Sequence, residues 1–126
     1  ESLRDADPAD VQALMRRAVP MDDVAFLNGL ENSIVIGDYL FVHAGIRPGV
    51  PLDGQRTGDL RWIREPFLSH PADHGFVVVH GHTIVDEPEV RDNRIGIDTG
   101  AYMSGRLTAV ALEGTERWLV QVGPEG

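Results

Sequence analysis

Two apolar runs in this chain stop in the same way, at a histidine followed by a glycine-containing turn. They are Phe41-Val42-His43-Ala44-Gly45 and Val78-Val79-His80-Gly81-His82-Thr83. An apolar strand fixes its own backbone, and a glycine beyond it lets the chain bend away and leave the last ring nitrogen open. This pattern predicts a sheet whose strand ends carry imidazoles, a rigid place to hold a metal ligand. Side chains alternate along a strand, so His80 and His82 would share a face if the strand ran on through Gly81.

The 126 residues suit one domain or a piece of a larger one, and 42% hydrophobic content is enough for a core. A formal net charge of −9 argues against general nucleic-acid binding and against anionic membranes. Divalent cations could still bring a phosphate substrate to such a chain. There is no cysteine, so disulfides and thiolate metal sites are excluded, and a metal would have to use His, Asp, Glu or Asn. No apolar run approaches the roughly 18 residues of a membrane span, and Glu1-Ser2-Leu3-Arg4-Asp5 is not a signal peptide. A cytoplasmic protein is the expectation. The start at Glu1, without an initiator Met, points to processing or to a longer polypeptide.

Asp7-Pro8 reads as a helix start, with Val11, Leu14, Met15 and Ala18 as an apolar stripe and Pro20 as the stop. A second helix is expected over about 22–30, burying Val24, Phe26, Leu27 and Leu30. Ser33–Ile36 and Tyr39–His43 flank Gly37-Asp38 as a hairpin. Residues 47–58, rich in Pro and Gly, form a loop. Leu60, Trp62, Ile63 and Phe67 suggest a core-facing helix that Pro66 interrupts. Phe76–His80 reads as a strand buried on both faces, 86–93 as a polar loop, and Arg94–Asp98, Leu107–Leu112 and Trp118–Val122 as three further strands, with Gly114 in the last turn. The fold class is mixed α/β, about six strands with helices on one face.

His43 and His82 are the candidate metal ligands by this reading, while His70 and His74 fall in a polar loop and should face solvent. Asp98, in Gly96-Ile97-Asp98-Thr99-Gly100, ends a strand and could bind a metal or cap its own turn; Asp-Thr-Gly is common turn chemistry. Arg64 follows Trp62 and Ile63, which would anchor it to the core, and its planar fork suits phosphate oxygens. Arg91, Arg94 and Arg106 read as surface residues. Tyr102 sits in a Gly-rich loop and could present its hydroxyl to a ligand.

Five stretches then follow one another in a familiar order: Phe41-Val42-His43-Ala44-Gly45-Ile46, Leu60-Arg61-Trp62-Ile63-Arg64, Val79-His80-Gly81-His82-Thr83, Asn93 through Tyr102, and Gly105-Arg106-Leu107-Thr108. In that order the chain resembles the phosphoprotein phosphatase family of calcineurin-like metallophosphoesterases, most of all its bacterial serine/threonine phosphatases, over roughly residues 22–122. The resemblance implies part of a four-layer αββα sandwich with a dinuclear metal centre at the strand ends. It assigns His43 and His82 to the second metal, Arg64 to the substrate phosphate and Tyr102 to its vicinity, with His80 and Asp98 as neighbours of the site. It implies two divalent ions, manganese first, with iron, zinc or magnesium as alternatives.

The family's upstream motifs, Gly-Asp-x-His-Gly, Gly-Asp-x-x-Asp-Arg-Gly and Gly-Asn-His-Glu, do not occur in this sequence. The chain is therefore expected to be the C-terminal portion of a single metallophosphoesterase domain, partnered by the missing N-terminal half and not fully active without it. Its substrate would be a phosphorylated protein or a small phosphoester, with no nucleic-acid or membrane partner. Two alternatives stand beside a protein phosphatase. One is a symmetrical diadenosine tetraphosphatase on the same scaffold; the other is a non-catalytic binding module.

Overall fold

The computed structural model describes residues 5–124, which divide between Glu31 and Asn32 into two compact units. The first holds helices α1 (Pro8–Ala18) and α2 (Met21–Asn28). The Asp7 carboxylate accepts the Ala9 N–H at 2.8 Å and Pro8 occupies the first turn, as the sequence suggests. The expected burial of α2 does not occur: Phe26, Leu27 and Leu30 are exposed, Val24 is half-buried, and neither helix has a buried residue.

The second unit is built on a five-stranded mixed sheet in the order β1-β2-β3-β5-β4. Strands β1 (Ser33–Ile36) and β2 (Tyr39–Val42) form the expected hairpin, with Gly37 at φ 58°. β2 runs parallel to β3 (Val77–His80), and β3 parallel to β5 (Arg94–Gly96). β4 (Glu89–Val90) adds an antiparallel edge inside what the sequence presents as a polar loop. A separate two-stranded sheet pairs β6 (Leu107–Glu113) with β7 (Glu116–Val122), and β7 is exposed along its whole length. The strands therefore number seven among the described residues, in two sheets. The mixed α/β class stands, with a mixed sheet and flanking helix.

Register decides which side chains meet. Leu40 lies beside Val78, Val78 beside Arg94, and His80 beside Gly96, so these residues share one face. Helix α3 (Thr57–Trp62) covers that face through Leu60, and the core there comprises Leu40, Val42, Ala44, Ile46, Leu60, Ile63, Phe67 and Val78. α3 stops at Trp62, and Phe67 reaches the core from the following turn instead of from a continued helix. A fourth helix, α4 (Ala101–Ser104), is a single turn between left-handed Gly100 and Gly105.

Candidate metal and phosphate site

β2 and β3 are parallel neighbours, so their C-terminal ends emerge side by side. The Gly81 N–H donates to the His43 carbonyl at 2.8 Å and the Ala44 N–H to the Leu60 carbonyl at 2.9 Å, locking the two exits to each other and to α3. The His43 and His82 rings stand with centroids 5.2 Å apart. Two imidazoles binding one ion at about 2.1 Å with right-angle to tetrahedral spacing would have centroids about 4.6–5.3 Å apart. His82 Nε2 is buried and has no hydrogen-bond partner among the described residues. Burial first, then the charges of Arg64 and His43, push the His82 pKa below its ordinary value, against the Trp62 backbone and Asp98. The neutral, metal-binding form is thereby favoured. Among the described residues no cluster of three or more His, Asp or Glu side chains converges as a metal cage.

The backbone does not carry His80 and His82 onto one face, because β3 ends at His80. His82 instead has φ 64°, the one positive φ among described non-glycine residues. The Thr83 N–H closes back on the Gly81 carbonyl at 2.7 Å, so His82 is the centre of a three-residue turn in its rarer, strained sense. Such a backbone costs about 1–2 kcal/mol for a residue with a Cβ. Strain of this kind concentrates at sites of function. His82→Gly should therefore be more stable than His82→Ala by about 1 kcal/mol, since both lose the imidazole and only glycine relaxes the turn. Equal midpoints in urea denaturation would show that the turn is unstrained.

The remaining candidates are distributed around this pair. Arg64 is exposed, has no side-chain partner among the described residues, and its charge acts on His82. Ile63 is buried as expected, but Trp62 is 72% exposed and does not anchor Arg64 in the core; its ring instead stands edge-on to His82, centroids 5.7 Å apart. Asp98 accepts the Gly100 N–H at 3.0 Å, capping its own turn. Its other oxygen lies 3.6 Å from where a Cβ on Gly81 would sit, so it borders the same turn. Tyr102, on α4, is 82% exposed.

His80 is only 3% exposed and points into the core, its ring edge-on to Phe67 with centroids 5.0 Å apart. Burial, above all, pushes its pKa down. Arg94 corrects the sequence reading most sharply: it is 2% exposed, not a surface residue. Its head donates to the Glu89 carboxylate at 2.6 Å, the Leu68 carbonyl at 3.2 Å and His80 Nε2 at 3.2 Å. Arg106 is also half-buried, bonded to Glu87 at 2.9 Å and to the Asp86 carbonyl, whereas Arg91 is exposed. His70 and His74 are half-buried, their rings 5.0 Å apart, with His74 against Phe67; neither faces solvent freely.

No protein-family model matches the chain, and no curated protein matches it. Among solved structures it is similar to one titled "Crystal structure of a putative diadenosine tetraphosphatase", with a TM-score of 0.74 and 24% sequence identity over 90% of this chain. The chain spans 60% of that protein's length. The likeness establishes a shared fold. No helix of the described residues is long and apolar enough to cross a membrane.

Proposed function

We propose that this chain forms the His43/His82 side of a metal-dependent phosphoester hydrolase. The observation that carries the reading is the pairing of two imidazoles at adjacent strand ends, one with an unpartnered buried Nε2 on a strained turn. The shared fold with a solved structure named as a tetraphosphatase supports the scaffold. His43 and His82 would hold a divalent ion as neutral donors, and manganese suits imidazole together with oxygen ligands. Such ions, when bound, lower the pKa of water and neutralise phosphoryl charge. Arg64, uncommitted to any carboxylate among the described residues, would offer its fork to the phosphoryl oxygens and oppose the charge that develops there. Trp62, edge-on to the His82 ring, would stand beside the ion.

Two donors are too few to saturate such an ion, so the other ligands and the second metal would come from residues beyond these. The exposed apolar residues of β7, Trp118, Leu119, Val120 and Val122, support a further layer packing against this unit. We read the substrate as a phosphoserine or phosphothreonine protein, in keeping with the ordered sequence motifs. The name of the similar structure favours a second reading, a dinucleoside polyphosphate. Hydrolysis of p-nitrophenyl phosphate, a phosphoserine peptide and diadenosine tetraphosphate, each with Mn²⁺, should separate the two. Cleavage of none of them by the protein that carries this chain, under conditions where the histidines bind Mn²⁺, would reject hydrolase chemistry.

A further inference from the structure

We propose that Arg94 and His80 act as a positioning pair that clamps the strained turn presenting His82. The functional meaning rests on His82 being a ligand, as proposed above; the clamp itself does not.

The argument starts from donors and acceptors. A guanidinium carries only donors and keeps its charge. At 3.2 Å from Arg94, His80 Nε2 must therefore be the acceptor, and the proton of the neutral ring sits on Nδ1. That Nδ1–H donates to the Gly81 carbonyl, 3.1 Å away. The same carbonyl closes the His82 turn by accepting the Thr83 N–H, while the Gly81 N–H is held by the His43 carbonyl. Both ends of the Gly81 residue are thus tied, and the strained residue follows directly.

Arg94 in turn cannot drift. Its three nitrogens meet the Glu89 carboxylate, the Leu68 carbonyl and His80, so one head joins β3, β4, β5 and the turn after α3. A buried cation is tolerable only with such full pairing. Gly96 leaves room for this arrangement: a Cβ there would lie 3.3 Å from His80 Cε1 and Nε2. Neither group touches the expected position of a substrate, so both are positioning residues. A turn with a Cβ-bearing residue at positive φ persists only when its surroundings over-determine it, and this pair supplies that constraint.

The experiment is imidazole ¹⁵N spectroscopy on the whole chain, with scalar couplings reporting the His82 φ and ring-to-ring NOEs reporting the His43–His82 spacing. In the wild type the His80 ring should be the neutral Nδ1–H tautomer; an Nε2–H tautomer overturns the proposal. Arg94→Met should abolish that tautomer preference, the positive φ of His82 and the inter-ring NOEs, while Leu40, Val78 and Ile95 keep their shifts. His80→Phe, which preserves packing on Phe67, should free the turn in the same way. Retention of the His82 geometry in either folded variant overturns the clamp. Should neither variant fold, the wild-type tautomer decides alone. Absence of metal binding by His43 and His82 would remove the hydrolase reading and leave every one of these readouts intact.

Discussion

His82→Ala should lower phosphoester turnover by about a thousandfold in the protein that carries this chain. Charge stabilisation by a metal is worth several kcal/mol, and each 1.4 kcal/mol is a factor of ten. Folding should hardly change. The ring is half-buried, its Nε2 bonds to nothing among the described residues, and its edge contact with Trp62 is worth about 1 kcal/mol. The pairing of large kinetic and small thermodynamic effects is what separates a ligand from a packing residue. Steady-state rates with Mn²⁺ in excess, beside urea denaturation of the same preparations, provide the measurement. A near-normal rate would remove His82 from the metal site; a collapse of stability matching the loss of rate would make it structural. Arg64→Met should behave differently, raising KM along with its loss of kcat, if the guanidinium meets the phosphate before and during transfer as proposed.

The sequence made the strand ends legible because the apolar runs of β2 and β3 are short, rich in aromatic or β-branched residues, and followed within a few residues by glycine. Gly37 and Gly114 likewise marked both hairpins, each with a positive φ. What it hid follows from pairing rather than composition. β4 is two residues long, and only its ladder with β5 makes it a strand. Gly81 advertises a turn, yet the positive φ falls on His82, and this depends on the Gly81 carbonyl being held from two sides. Arg94 reads as a surface residue by type. Alternation along β5 places it on the face shared with Val78 and Gly96, a signal that polarity overrode. Trp62 reads as a core residue by type, but α3 ends under it and turns it out beside His82. His43, His82, Arg64 and Asp98 are brought to one edge, and Tyr102 stands exposed on a one-turn helix.

Gly45→Ala should cost about 3 kcal/mol of stability, overpacking and an unfavourable backbone together, a large part of the 5–15 kcal/mol that holds a domain together. A Cβ on Gly45 would lie 2.3 Å from Phe67 Cδ1, 2.5 Å from Cε1 and 2.8 Å from Cγ, distances no relaxed contact allows. The backbone there, at φ 154°, also disfavours any side chain. Phe67 has nowhere to go: it is fully buried, in contact with the His80 ring on one side and the His74 ring on another. Moving it displaces His80, and His80 holds the Gly81 carbonyl, so the damage should pass from the core to the His82 turn. Phe67→Leu, which opens the space the methyl needs, should recover part of the loss in the double variant, a coupling beyond about 1 kcal/mol that additive effects would not produce. Denaturant midpoints of the two single variants and the double variant test this directly. Additive losses would mean that the methyl is accommodated by backbone movement around Gly45 and not by Phe67. A Gly45→Ala variant within about 1 kcal/mol of wild type would mean that the glycine is dispensable there, and that the short path from this turn through Phe67 to His80 does not carry strain.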